Sequence, residues 1–321
     1  PEESRLYKNA IFDARLIQLK YSSPLESLSQ EKMDHYLSQF LITKEDLQKE
    51  IYPMIDDAKE PFGSMGDTAR LPVLSQVHRS LYDYFFQNFA QVTNPPLDYI
   101  REKLVTDLTI NLGRIPNIFE PKEMIPPQEG LALKGPILSL GQLEQLKNSF
   151  LKVAKIDICF DVETGEKGFR EALQKVTESA LKALQNSNTV LILSDRDVSS
   201  KRAPIPSILA MRSIQMALNN KGLNLRASIV IDSGEVKNSH QVAVLVAFGA
   251  SAVCPYLSLS LARSRDCSKL LDYSADQKEQ RLIEALENGL LKVMAKRGIS
   301  VLRSYRDSEL FTIIGFAKEF L

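Results

Sequence analysis

The 321-residue chain has no tryptophan, only three cysteines and three histidines, and no surplus of either charge: 40 Lys and Arg stand against 40 Asp and Glu. Each scarcity excludes something. Phosphate-backbone binding is driven by clustered cations, so a balanced chain without runs of Lys or Arg is not expected to bind nucleic acid or to lie on an anionic membrane surface. Cys159, Cys254 and Cys267 form no Cys-x-x-Cys pair, and an odd number without regular spacing points to reduced thiols in the cytoplasm instead of a disulfide framework. His35, His78 and His240 have no ligand spacing, so no structural metal is expected. No apolar stretch approaches the ~20 residues of a membrane-spanning helix. The opening Pro1-Glu2-Glu3-Ser4-Arg5 lacks the apolar region of a signal peptide, and the absence of an initial Met fits an excised or processed piece. Gly-x-Gly-x-x-Gly and Walker-type phosphate loops are missing, as is a nucleophile elbow for Ser-His-Asp chemistry.

What remains is an ordinary globular composition, 44% apolar and 25% charged, long enough to bury a sizeable core. Residues 1–60 read as a helical N-terminal segment. Thr43 precedes Lys44-Glu45-Asp46 as an N-cap before first-turn acids, and the helix continues through Ile51, Met54 and Ile55, with Pro53 predicting a kink or break. After a turn-rich loop over 60–67, an amphipathic helix is expected with Leu81, Tyr84, Phe85 and Phe89 along one face. Asn94-Pro95-Pro96 stops it, and a further helix is expected over 97–112. Residues 114–150 read as a long traverse with short elements.

From residue 151 the texture changes. Strands are expected at 153–160, 189–193, 227–231 and 252–254, alternating with helices at 169–186, 205–219 and 238–248, and a long helix is expected over 276–297. This βαβ spacing implies an α/β fold: a parallel sheet with flanking helices, either doubly wound or a partial barrel. The divisions are 1–60, 61–275 and 276–321.

Ligands of parallel α/β proteins sit beyond the carboxyl ends of the strands. Three such ends are polar here: Ser194-Asp195-Arg196-Asp197, Asp232-Ser233-Gly234-Glu235, and Pro255-Tyr256 after Cys254. On one reading Asp195, Arg196, Asp232 and Glu235 are ion-pairing or acid/base groups of a site. On the other they are helix caps and buried salt bridges that organise loops. Arg202-Ala203-Pro204-Ile205-Pro206-Ser207 precedes a helix whose amino end could hold an anion. Cys254 reads as a buried structural thiol. The residues alone leave open an independent α/β enzyme, an interaction module and a scaffold.

Four strings then carry a resemblance. Phe89 through Glu102 (FAQVTNPPLDYIRE), Thr189 through Arg196 with Arg202 through Ser207, Ser233-Gly234-Glu235, and Phe248 through Leu257 resemble, in order and at plausible spacing, motifs of the central domain of the glutamate synthase large subunit. The likeness covers roughly residues 40–315, and the C-terminus resembles the opening of that enzyme's flavin-binding synthase domain. The family usually has Met where Arg297 stands, and a small-residue run ending in Gln where Asp307-Ser308-Glu309 stand.

The resemblance implies a degenerate (β/α) barrel that takes no cofactor of its own, although the parent oxidoreductase uses FMN and an iron–sulfur cluster. Its partners would be the glutaminase and synthase domains of the same polypeptide, with no nucleic acid and no membrane. Its role would be a structural scaffold contributing to the ammonia tunnel between two active sites in glutamate biosynthesis and nitrogen assimilation, non-catalytic in isolation. By analogy Gln91, Thr93 and Asn94 would line the tunnel, while Asp195, Arg196, Arg202, Asp232 and Glu235 would be structural. The alternative is a free-standing, divergent protein-interaction module.

Overall fold

The computed structural model describes residues 19, 28–61, 79–88, 97, 102–115 and 130–315. Helix α1 (Gln30–Gln39) starts at Ser29, whose hydroxyl accepts from the Lys32 amide. Helix α2 begins at Lys44–Asp46 under a capping box in which Thr43 and Asp46 bond each other's amides, the expected Thr43 cap. Pro53 does not break it. A π-helical turn, Leu47–Ile51, comes first, and Tyr52–Asp57 continues as α-helix. The wider i→i−5 turn accommodates a residue that has no N–H and whose ring would collide with the carbonyl four residues back.

Two expected helices are not formed. Leu81–Tyr84 is a single 3-10 turn that leads into β1 (Phe85–Gln87), which pairs antiparallel with Phe311–Ile313. A strand partner from the far end of the chain outweighs the local helical pattern. The end of the amphipathic stretch, at Phe89, lies outside the described residues. Among the described residues of 97–112 only α3 (Glu102–Val105) is helical. The Asp107 carboxylate accepts from the Thr109 amide at 2.8 Å, a local turn that competes with helix, and β2 (Ile110–Leu112) pairs antiparallel with β3 (Leu131–Leu133).

The α/β body follows. Helix α4 (Leu140–Lys147) leads to β4 (Val153–Asp157) and β5 (Cys159–Asp161). The single strand expected over 153–160 is thus divided, because Asp157 accepts from the Cys159 amide at 3.0 Å and turns the chain into a separate pairing. Then come α5 (Gly165–Gln185), β6 (Val190–Ser194), β7 (Arg202–Pro204), α6 (Ser207–Asn220), β8 (Ser228–Asp232), α7 (Ser239–Ala247), β9 (Ala252–Cys254), α8 (Tyr256–Ser264), α9 (Ala275–Arg297) and β10 (Phe311–Ile313).

The main sheet has the order β4-β6-β8-β9, all parallel. Each new strand is added on the same side, the winding of a barrel; a doubly wound sheet would reverse direction. Ile137, just before α4, makes a parallel bridge to Val253 of β9. The segment that precedes the first strand therefore pairs with the last. No pairing joins residue 137 to β4 among the described residues. The fold is a degenerate (β/α) barrel behind a helical N-terminal segment.

Every residue of β6 and β8 is buried, as continuous apolar strands covered on both faces should be. Helix α9 is set by a Ser274–Gln277 capping box and ends at Gly298, whose φ of 72° is left-handed, the usual conformation after a helix. It packs on α2, α7 and α8 and so joins the N-terminal segment to the barrel wall.

Candidate functional site

The register aligns Ser194 with Asp232 and Asp232 with Cys254, so the polar ends of β6, β8 and β9 meet at one mouth. Asp232 is 0% exposed. Arg196 turns back over it and donates from Nε to Oδ2 at 2.7 Å and from Nη2 to Oδ1 at 2.9 Å, while Ser194 Oγ donates to Oδ2 at 3.0 Å. A buried carboxylate persists when it is both paired and hydrogen-bonded. The Arg196 guanidinium also lies 4.2 Å above the Tyr256 ring, a cation–π stack. Burial works against the charge on Arg196, but the bonds to Asp232 outweigh it and raise its proton affinity.

Asp195, 1% exposed, accepts from Ser233 Oγ at 2.5 Å and from the Gly234 amide at 3.0 Å. Burial pushes its carboxyl group up to about 7; those hydrogen bonds pull the other way, and the nearby Asp232 and Glu235 charges add to the rise. Burial raises the proton affinity of the Tyr256 hydroxyl, and the nearby Asp195 charge adds to the rise. Glu235 reaches the amino end of α6, where it accepts from the Ser207 amide at 3.2 Å and from Ser207 Oγ at 3.0 Å; Tyr82 Oη shares a hydrogen bond with the same Oγ at 2.8 Å. Pro206 provides no side-chain cap there. The anion expected at that helix end is thus the chain's own Glu235 carboxylate, and burial raises its proton affinity.

Asp195, Arg196, Asp232 and Glu235 therefore converge. Arg202 does not: it sits on β7 and bonds Asp157 Oδ2 at 2.5 Å and the Cys159 carbonyl at 3.2 Å. Nor do Asp232, Ser233 and Glu235 cap the helix that follows them. Asn238 does so, accepting from the Gln241 amide at 3.0 Å. Gln91, Thr93 and Asn94 lie outside the described residues.

Sequence reading missed what covers the mouth. Tyr36 of α1 donates its hydroxyl to the Arg196 carbonyl at 3.2 Å, and Tyr36 and Phe40 meet Tyr256 edge-on at centroid distances of 5.8 and 6.3 Å. A Cβ on Gly234 would lie 2.8 Å from Cδ2 and Cζ of Phe40 and closer still to Cε2, so glycine there makes room for the ring. The signal was present: Met33, Tyr36, Leu37 and Phe40 fall at i, i+3, i+4 and i+7, one face of a helix.

Two of the three thiols offer no nucleophile. Cys159 and Cys254 are buried, and burial raises both, which leaves them inert. Burial also lowers the proton affinity of His240. Its Nε2 is 3.1 Å from the Tyr82 carbonyl and its Nδ1 is 3.2 Å from Gln87 Nε2, so Nε2 carries the proton and Nδ1 accepts. Among the described residues no group of His, Cys, Asp and Glu could hold a metal, and no helix is long and apolar enough to cross a membrane.

A family model described as the glutamate synthase central domain matches residues 35–317. The ferredoxin-dependent glutamate synthase of Pyropia yezoensis is 35% identical over 328 residues, covering 98% of this chain and 21% of that protein. The glutamate synthase (NADPH) large chain of Bacillus subtilis is 37% identical over 300 residues, covering 92% and 19%. The chain thus spans about a fifth of the length of these relatives. Among solved structures, a flavocytochrome b2 mutant with pyruvate bound superposes with a TM-score of 0.42 at 12% identity, covering 89% of this chain and 92% of that one; a score that low adds nothing to the topology already read from the strand order. On the family match and the likeness to these relatives, the chain belongs to the glutamate synthase central domain family.

Proposed function

We propose that this chain is a non-catalytic wall and spacer of a glutamate synthase, positioned between the domain that releases ammonia from glutamine and the domain that incorporates it into 2-oxoglutarate. One observation carries the reading. The carboxylates at the strand ends, where an α/β enzyme keeps its reacting groups, are bonded to Arg196, Ser233, Gly234 and Ser207 of the same chain, and α1 lies across them. Ammonia in transit must be kept from bulk water, and neutral hydroxyls and amides guide it without ionic trapping. Gln91, Thr93 and Asn94 are the proposed lining.

The parent family's flavin and iron–sulfur cluster belong, on this reading, to other parts of the polypeptide. The mouth supports this. A flavin ring there would have to displace Tyr36, Phe40 and the Arg196–Tyr256 stack, so the residues present do not suit it. Cys159 and Cys254, buried with raised thiols, do not suit a cluster, which is held by thiolates. A cytoplasmic or plastid stroma setting fits the reduced thiols. Chemistry by Asp195 and Glu235 themselves has one point in its favour, the carboxyl group held near neutrality, but that group is enclosed.

The test uses a complete glutamate synthase carrying this domain. Thr93→Val with Asn94→Leu is expected to lower the glutamate formed per glutamine hydrolysed and to release ammonia into solution, while glutamate synthesis from added ammonium persists. An unchanged ratio, with no free ammonia detected, would overturn the tunnel assignment. Turnover of any substrate by the isolated chain, abolished by Asp195→Asn or Glu235→Gln, would overturn the non-catalytic reading.

A further inference from the structure

Helix α1 is fastened far more lightly than the helix that follows it. Of its ten residues only Met33 is buried, and Glu31, Lys32, Asp34 and His35 are exposed. Tyr36 and Phe40 reach the barrel by ring edges, and one hydrogen bond of 3.2 Å joins Tyr36 to the Arg196 carbonyl. Helix α2, in contrast, buries Ile51, Met54 and Ile55 completely. Its Asp56 pairs with Arg265 at 2.9 Å, and Arg281 bonds the Ile55 and Asp56 carbonyls at 2.9 and 2.6 Å.

The joint between the two helices is strained. The Leu41 amide bonds to Ser38 O and the Ile42 amide to Leu37 O, the pattern that closes a helix through a left-handed residue, most often glycine. Here that residue is Leu41, with a φ of 53° and 57% exposed. It carries the steric cost of the left-handed conformation and recovers little of it by burial.

We propose that α1 is a lid on the mouth, which lifts as a unit about residues 41–43 and lifts more readily as pH rises toward neutrality. Lifting takes Phe40 off Gly234 and Tyr36 off Arg196 and lets water reach the charged strand ends, so α1 sets access to them. Asp195 supplies the pH dependence. With α1 closed, burial holds its carboxyl group up to about 7 against the pull of the Ser233 and Gly234 donors. With α1 open, those donors remain and the burial is relieved, so the carboxyl group ionises more readily. The closed form therefore binds the proton more tightly, and its advantage fades as pH rises toward ~7. Around Asp195 stand Arg196, Asp232, Glu235, Cys159, Tyr82, Tyr256 and, from α1, Tyr36. The thiol and the three phenols are raised and stay neutral across this window. Glu235 is raised by burial as well and needs its own control. Gln91, Thr93 and Asn94 have no part in the lid, so its failure would leave the tunnel reading standing.

The measurement is amide hydrogen exchange of the chain, followed by mass spectrometry, with each rate divided by its intrinsic rate to give an opening constant. The α1 amides are expected to open roughly tenfold more often than those of α9, or more. Their opening constant is expected to rise about tenfold from pH ~5 to ~7, within the ~hundredfold that one proton allows. Asp195→Asn is expected to flatten that rise to less than about twofold, while Glu235→Gln and His35→Gln, the latter on the exposed side of α1, leave it in place. Leu41→Gly relieves the left-handed strain of the closed form by more than it frees the open one, and should lower the opening constant about two- to fivefold at every pH. Five results would each overturn the proposal: α1 amides that open no more often than those of α9, an opening constant independent of pH, a rise that survives Asp195→Asn, a rise lost in Glu235→Gln or His35→Gln, or a Leu41→Gly chain that opens more readily than the parent.

Discussion

Gly234→Ala is the sharpest probe of the covered mouth. The added methyl would lie 2.8 Å from two ring carbons of Phe40, whereas carbon–carbon contacts are most favourable at ~3.5–4.0 Å. The ring must therefore move by roughly 1 Å. It can do so because Phe40 stands at the C-cap of α1 and is only half-buried. Moving costs its edge-on contact with Tyr256, worth about 0.5–1.5 kcal/mol, together with some buried apolar area. The expected loss is about 1–3 kcal/mol, in line with overpacking elsewhere. Phe40→Ala alone should cost about 2–3 kcal/mol, less than a fully buried phenylalanine. With the ring gone, the three atoms nearest the alanine at 234 are gone too, so the double variant should match Phe40→Ala to within ~0.5 kcal/mol. The assay is urea unfolding followed by far-UV circular dichroism, since the chain has no tryptophan. Additive losses in the double variant, or a Gly234→Ala chain as stable as the parent, would refute the idea that α1 is seated on the Ser233-Gly234 turn through this ring.

Other expectations follow from the same mouth. Asp232→Ala leaves Arg196 beneath α1 without its carboxylate and should cost about 3–5 kcal/mol by chemical denaturation, whereas Arg196→Met with Asp232→Leu should cost far less, because replacing a buried pair by apolar residues is often nearly neutral. Asp195, raised to about 7 from an ordinary ~4, holds its proton more tightly folded than unfolded. The stability linked to it is complete below pH ~4 and is lost as pH rises toward ~7. Unfolding measured across that window should show a shallower decline in Asp195→Asn, and Glu287→Gln should flatten it further, since burial and the neighbouring Glu284 charge raise Glu287 to about 7 as well. Asn238→Ala removes the acceptor for the Gln241 amide and should lower stability by about 1 kcal/mol, read as a shift of the denaturation midpoint.

The α/β body was legible because its strands are buried on both faces and bounded by turns. β6, β8 and β9 stand within a residue or two of their expected positions, and so do α6, α7 and α9. Thr43 was legible as a cap because its bonds are local. The stretch around 81–112 was not legible, because β1 and β2 owe their conformation to partners at 311–313 and 131–133, and no window of sequence contains both halves of such a pair. The convergence of Asp195, Arg196, Asp232 and Glu235 could be anticipated from the rule that strand ends meet. Their pairing could not: composition does not say that Arg196 folds back on Asp232, or that Glu235 crosses to the start of α6.

Whether those residues form a scaffold or a reaction centre turns on how much acceptor capacity they keep. A working carboxylate needs a lone pair facing substrate. Asp232 receives three donors from Ser194 and Arg196, Asp195 is bonded by Ser233 and Gly234, and Glu235 by the Ser207 amide and hydroxyl. All of these donors come from the chain itself, and Tyr36 and Phe40 lie over the result. What favours the scaffold reading over a ligand site is therefore less the residue types than the presence of α1. The same four charged side chains beneath an uncovered opening would form a polar pocket with one carboxyl group held near neutrality. On the scaffold reading proposed above, the twelve residues from Ser29 to Phe40 count for as much as the strand ends themselves, and Gly234, the residue that admits the ring, is where the two meet.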